Sequence, residues 1–227
     1  MCGPALFYLN PGDAGRACRL AEQLGGRRHF LFNTNLWELT GADGPFYICG
    51  PAVGAPMAVL TLEKLIALGV KKVIICGTCG SLCADLAVGE VLLPDGFLND
   101  EGTSRHYPLI APPSVSTFLV ELLATFLKKE GVAWSRGTLW TTDAPYRETI
   151  DKVREYQQAG IQGVDMEFSA LLTVAAFRRI ELAAVMVVSD QLRDGHWLPG
   201  FQEPAFKKKM RLVSMGLLDY LSQGGEK

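Results

Sequence analysis

The sequence predicts an α/β fold, a mostly parallel sheet with helices on both faces. Three observations predict it. Two runs, VIIC at residues 73–76 and LAAVMVV at residues 182–188, are continuously apolar, as strands covered on both faces are. Helix-period segments alternate with strand-like runs along the chain. The strands give way to glycine-bearing or acidic segments, where open α/β sheets bind their ligands.

In order, Leu6, Phe7, Tyr8 and Leu9 form a short apolar strand that stops at Asn10-Pro11-Gly12-Asp13, a turn signal. A helix follows over residues 14–24, with Ala17, Leu20, Ala21 and Leu24 at helical spacing. Gly12 and Arg16 thus lie where strand gives way to helix. A glycine turn, helix N–H groups and a guanidinium fork make a natural anion site there. The plainer reading of Arg16 is a surface arginine. A strand over residues 46–49 leads into GPAVGAP at 50–56 and a helix over 57–68, which Gly69 ends. The central strand runs from Val73 into Gly77-Thr78-Cys79-Gly80, read as a glycine loop. Its N–H groups and the Thr78 hydroxyl suit an anion; a turn without ligand is the alternative.

Residues 89–94 read as a strand, 98–108 as a polar surface loop, and 114–129 as a helix with Lys128 and Lys129 at its negative end. A strand over 136–141 enters TDAPYR at residues 142–147; a helix over 150–159 and an extended piece over 163–167 follow. After a helix over 168–179, the second strong strand ends in Ser189-Asp190. A polar loop with Arg193, His196 and Trp197 precedes the closing amphipathic helix, residues 207–221. Its basic run Lys207-Lys208-Lys209 and Arg211 reads as a solvated face.

Composition narrows the function. The chain has 227 residues, 48 % of them hydrophobic, enough for one domain spanning residues 1–227. A net charge of −2 recruits neither nucleic acid nor an anionic membrane. The first ten residues lack a basic start with a long apolar core, and no apolar run approaches the ~20 residues of a membrane helix, so a cytoplasmic location is expected. Six cysteines are too few for a disulfide framework at this length. Cys76, Cys79 and Cys83 have no second Cys or His pair at matching spacing, so no metal is expected. Phosphate-loop and dinucleotide glycine patterns are absent, which leaves a smaller anion. His29, His106 and His196 are far apart, and no nucleophile elbow supports a Ser-His-Asp set. Glu167 opens an apolar helix, where the dipole favours a carboxylate; its functional reading is a bidentate acceptor for two sugar hydroxyls. Asp190 reads as a loop stabiliser or as an acid.

Five motifs then occur together: Pro11-Gly12-Asp13-x-x-Arg16, GPAVGAP at 50–56, Gly77-Thr78-Cys79-Gly80, Val164-Asp165-Met166-Glu167 and Val188-Ser189-Asp190. In this order and spacing the chain resembles the purine nucleoside phosphorylase and uridine phosphorylase family over nearly its whole length. The resemblance implies a three-layer α/β/α single domain with a mostly parallel or mixed central sheet. It implies attack of phosphate on the anomeric carbon of a nucleoside, giving free base and ribose 1-phosphate. Gly12, Arg16 and Thr78 then resemble phosphate ligands; Met166 and Glu167 resemble the ribose floor. Cys79, Gly80, Tyr146 and Val164 resemble the base pocket, with Tyr146 as an aromatic wall. Asp190 resembles the acid that protonates a purine at N7. No cofactor is implied beyond inorganic phosphate as co-substrate, and the partners are small molecules and other copies of the chain, a dimer or hexamer.

The chain departs from the family at two places. Ile75 stands where many members carry a phosphate-directed arginine, and FNTNLWELT at residues 32–40 lacks the arginine a neighbouring subunit usually supplies, although Arg27 and Arg28 precede it. Arg105 is the candidate replacement. A nucleosidase, with water in place of phosphate, and a non-catalytic nucleoside-binding protein are the alternatives. Asp190 favours a purine; residues 101–107 and Asp143-Ala144-Pro145-Tyr146-Arg147 look more like the uridine branch, with Arg147 either facing a pyrimidine carbonyl or a surface charge.

Overall fold

The computed structural model describes residues 4–31, 33–41, 44–193 and 195–223. Its elements are β1 (Ala5–Tyr8), α1 (Pro11–Gln23), β2 (Arg27–His29), β3 (Asn35–Gly41), β4 (Gly44–Gly50), α2 (Ala55–Ala67), β5 (Lys72–Ser81) and β6 (Val91–Asp100). There follow α3 (Thr117–Lys129), β7 (Trp134–Thr142), α4 (Ile150–Gln158), β8 (Ile161–Asp165), α5 (Phe168–Arg178), β9 (Glu181–Arg193), β10 (His196–Pro199) and α6 (Pro204–Ser222).

The strands make one mixed sheet in the order β10-β9-β6-β7-β8-β5-β1-β4-β3-β2. Because β5 also pairs with β9, the strands β5, β9, β6, β7 and β8 close into a small barrel, and β1, β4, β3 and β2 extend from it as an open wing. Closure needs bent strands, and the register shifts between Cys79 and Gly80, Pro94 and Gly96, and Thr138 and Leu139 supply the bends.

Alternation along β5 feeds two cores. Val73 and Ile75 pack with Leu62 and Leu65 of α2 and Phe168 and Leu171 of α5. Ile74 and Cys76 face the other side, with Ala17 of α1, Leu123 of α3, and Val213 and Leu217 of α6. The sheet is therefore the middle of three layers. Each fully buried Leu or Phe contributes roughly 1.5–3 kcal/mol. A third, smaller cluster of Leu82, Trp140, Val153, Ile161 and Val164 lies under α4.

The structure departs from the sequence reading at several elements. The turn signal at Asn10 is an N-cap: its side chain accepts the Gly12 N–H at 2.8 Å and Pro11 occupies the first turn, so α1 starts at Pro11. Gly77-Thr78-Cys79-Gly80 is not a loop. Pairing with β9 continues to Ser81 opposite Gln191, so the ladder overrides the weak strand preference of glycine. Likewise Leu98, Asn99 and Asp100 belong to β6, paired with Trp140, Thr141 and Thr142. Arg193, His196 and Trp197 form a hairpin rather than a loop, with His196 opposite Arg193 and Trp197 opposite Leu192. β2 and β3 were not foreseen: β2 is a polar run at the sheet edge, and β3 intersperses Leu36, Trp37 and Leu39 with polar residues. Phe32, at the start of the arginine-free stretch, lies outside the described residues.

Candidate active site

One edge of β5 follows β9 throughout. The other pairs with β1 from Val73 to Cys76 and with β8 only at Gly80 and Ser81. Between them, Gly77 to Cys79 face a gap in the sheet. The Leu9 N–H donates to the Cys76 carbonyl at 3.1 Å across this edge. Backbone groups two residues on point the same way, so those of Thr78 face the gap. An N–H there needs a partner, and the half-buried Thr78 side chain adds a hydroxyl.

The end of β1 supplies one rim. The Arg16 guanidinium pairs with Asp13, which is 1 % exposed and also accepts the Ser214 hydroxyl at 3.1 Å. Burial pushes the Asp13 carboxyl up, and Arg16 pulls it back. Arg16 Nε is buried without a hydrogen-bond partner among the described residues. The guanidinium is thus fixed by a buried carboxylate and keeps one donor uncommitted. The Gly12 N–H is not available in the same way, because Asn10 holds it.

The end of β8 supplies the second rim. Asp165 caps α5, accepting the Glu167 N–H at 3.1 Å and the Phe168 N–H at 2.7 Å. The Thr141 hydroxyl donates to Asp165 at 2.6 Å and accepts the Ser169 N–H at 3.0 Å. Glu167 is thereby released from capping, the role a helix-opening carboxylate ordinarily takes. It is 6 % exposed, and its Oε1 accepts the Gly54 N–H at 2.5 Å. Gly54 has φ of +85°, a conformation that side chains rarely adopt. Burial, and then the Asp165 charge, push the Glu167 carboxyl well above the usual carboxylate range. Met166 is half-buried between them.

β9 supplies the third rim. Asp190 accepts the Ser189 hydroxyl at 2.6 Å on one oxygen and the Trp197 indole N–H at 2.8 Å on the other. It lies opposite Gly80, where an added Cβ would sit 3.0 Å from Asp190 Oδ2 and 3.2 Å from Val164 Cγ1. Only glycine lets these two side chains close on β5 there. Cys79, 2 % exposed, has its thiol pushed up by burial and then by Asp165 and Asp190, so both carboxylates reach it.

β5, β8 and β9 thus bring together Cys79, Gly80, Val164 and Asp190, with Met166 and Glu167 following β8; Thr78 faces the gap, and Arg16 lies on α1 beyond the end of β1. Tyr146 and Arg147 are both exposed, on the single turn Pro145–Arg147. Ile75 is fully buried opposite Phe7 and Ala184, so no cation approaches there. Arg27 pairs with Glu38 at 3.2 Å and Arg28 donates to Asn35 at 3.2 Å, both on the sheet wing. Arg105 is exposed beside His106. The sequence reading missed Gly54, Asp165, Ser189 and Trp197 as site residues. The first three sit inside its motifs; Trp197 gave no signal beyond an aromatic in a polar stretch. Among the described residues no cluster of His, Cys, Asp and Glu could hold a metal ion, and no helix is long and apolar enough to cross a membrane.

Comparison with known proteins identifies the family. The chain is 29 % identical over 200 residues to a guanosine phosphorylase of Halorubrum lacusprofundi, covering 86 % of this chain and 80 % of the relative. It is 30 % identical over 190 residues to a DeoD-type purine nucleoside phosphorylase of Streptococcus pneumoniae, covering 81 % and 80 %. In structure it superimposes on a Toxoplasma gondii purine nucleoside phosphorylase with a TM-score of 0.81 at 20 % identity, over 96 % of this chain and 89 % of that one. A Vibrio fischeri uridine phosphorylase gives 0.79 at 22 %, over 96 % and 90 %. Residues 11–218 match the family described as the phosphorylase superfamily. With three rims of polar side chains around one gap in such a sheet, the chain belongs to the phosphorylase superfamily.

Proposed function

We propose that the protein cleaves the N-glycosidic bond of a nucleoside with inorganic phosphate, purines ahead of uridine, giving free base and ribose 1-phosphate. The observation that carries this is a pair of differently held carboxylates: Glu167, buried, released from capping and accepting the Gly54 N–H, and Asp190, opposite Gly80 on β9. The names of the two relatives, guanosine and purine nucleoside phosphorylases, support the purine preference.

In this reading Thr78 and Arg16 hold phosphate beneath the sugar at the gap beside β5. Glu167 accepts the 2′ and 3′ hydroxyls over the Met166 floor, which stabilises a sugar that turns oxocarbenium-like. The base lies against Cys79, Gly80 and Val164, and Asp190 delivers a proton to N7 as the C1′–N9 electron pair moves into the ring. No cofactor takes part. Exposed Phe30, Val53, Met57 and Leu60, on β2–α2 and the loop that carries Gly54, support a homo-oligomer whose contact adjoins the site. A cytoplasmic salvage role follows from the substrate class. Hydrolysis is the second reading, favoured by Ile75 and by the pairing of Arg16 with Asp13.

A panel of purine and pyrimidine nucleosides, assayed with and without phosphate, tests the proposal. Base release that requires phosphate and is fastest with inosine or guanosine is expected. Equal release without phosphate would assign the hydrolase.

A further inference from the structure

Asp190 is held by two donors of different origin. The Ser189 hydroxyl, on the preceding residue, donates to Oδ1 at 2.6 Å. The Trp197 indole N–H, on the facing strand, donates to Oδ2 at 2.8 Å. The pleat explains the second bond. Trp197 lies opposite Leu192, and Leu192 shares a face of β9 with Asp190, two residues before it. Trp197 is therefore the diagonal neighbour of Asp190, a separation that an aromatic side chain spans. The residue directly opposite Asp190 is Pro199, which offers no donor.

Burial does not hold Trp197 there, since it is 58 % exposed. Ring contacts and the hairpin do. Its ring centre lies 6.5 Å from that of Phe201, and Phe201 meets Phe206 edge-on at 6.1 Å, both within the range of aromatic pairs. Phe206 is buried in the first turn of α6, in one core with Met210 and Val187. The Gly200 N–H donates to the Ser189 carbonyl at 2.9 Å and closes the hairpin against β9. A chain of contacts thus runs from the core through Phe206 and Phe201 to Trp197 and ends on Asp190. The oxygen it ends on faces β5: a Cβ at Gly80 would sit 3.0 Å from Oδ2. Gly80 belongs to the surface against which the base is proposed to lie.

We infer that Trp197 is a positioning residue, whose indole N–H aims the Asp190 carboxyl at N7 of the purine. This rests on the proposed role of Asp190 as acid. With Ser189 alone the carboxyl could pivot about Oδ1, because the terminal torsion of an aspartate is broad. A second donor, on Oδ2, fixes the plane of the group. A carboxyl oxygen has two lone-pair sites, so the indole occupies one on Oδ2 and leaves the other toward the base. Proton transfer depends on such aim, because the acid must stand within hydrogen-bond reach of N7 as C1′–N9 breaks. The indole keeps its own proton throughout and acts only through Asp190.

The test compares wild type with Trp197→Phe, which keeps an aromatic ring and removes the donor, on inosine and on 7-methylinosine, whose cationic base leaves without a proton. On inosine kcat should fall roughly tenfold, a part of the ~10²–10⁴-fold that a general acid contributes, with KM changed less than about twofold. On 7-methylinosine kcat should change less than about twofold, since no acid is needed there. In an Asp190→Asn background, W197F should cost less than about twofold on inosine, because the indole then has no acid to aim. Equal losses on the two substrates, no loss on either, or full additivity of the two substitutions would overturn the inference. A second readout needs no turnover. The Trp197 indole resonance in a proton–nitrogen NMR spectrum, assigned by its disappearance in W197F, should move upfield in Asp190→Ala, as a lost hydrogen bond requires. An unmoved resonance refutes the contact whatever the activity. A resonance that moves in a protein that cleaves no nucleoside upholds the contact and refutes the activity on which the role rests.

Discussion

At the scale of single residues, Glu167 shows a conflict between fold and function. A carboxylate 6 % exposed beside Asp165 is held above its ordinary range. A group with a raised folded pKa adds stability below its unfolded value near 4.5, and that stability is lost as pH rises through the folded value. Glu167→Gln keeps the acceptor for Gly54 but cannot ionise. It should raise Tm at pH 8 by about 2–4 °C, corresponding to about 1 kcal/mol, and leave Tm at pH 4 unchanged. The same variant should lose about 10²–10⁴-fold in kcat/KM, since two hydrogen bonds to a charged group are worth roughly 1.5–3 kcal/mol each. Calorimetry at both pH values and a nucleoside assay check the two halves. Gly80 makes a second residue-scale case: Gly80→Ala places a Cβ 3.0 Å from Asp190 Oδ2 and 3.2 Å from Val164. It should depress kcat about tenfold or more while the folded state persists, as judged by circular dichroism.

At the scale of elements, the site depends on how α5 is started. Thr141, fully buried on β7, ties Asp165 to the first turn of α5. Thr141→Val keeps the shape but strands an Asp165 oxygen and the Ser169 N–H. It should cost about 1–3 kcal/mol in urea unfolding. The elements were legible in unequal degree. β1, β5, β9 and the helices α2, α5 and α6 were readable because periodicity and burial coincide in them. β2 and β3 were not: Arg27-Arg28-His29 is polar, and Glu38 and Trp37 are held by cross-strand pairing that no local pattern announces. Gly77 to Gly80 misled in the opposite direction, because two glycines signal a loop while the β9 ladder runs past them. The candidate site was legible where a motif carried its own chemistry, as Glu167 and Asp190 do. Trp197 was not, because only the β9–β10 hairpin brings it to Asp190.

At the scale of the whole molecule, the barrel and the wing divide the work. The barrel strands β5, β8 and β9 hold the carboxylates; the wing carries Arg16, through β1, and the exposed apolar edge at β2 and α2. Phe30 is 90 % exposed there. Phe30→Glu should lower the oligomeric mass in sedimentation and, with it, turnover, since the Gly54 loop adjoins that edge. Above all, the proposed function puts phosphate at the gap beside β5, under the bond that breaks. Phosphorus NMR, following inorganic phosphate while base release is monitored during inosine cleavage, tests that placement. One phosphate consumed and one ribose 1-phosphate formed per base released is predicted. Base release with the phosphate signal unchanged would contradict it.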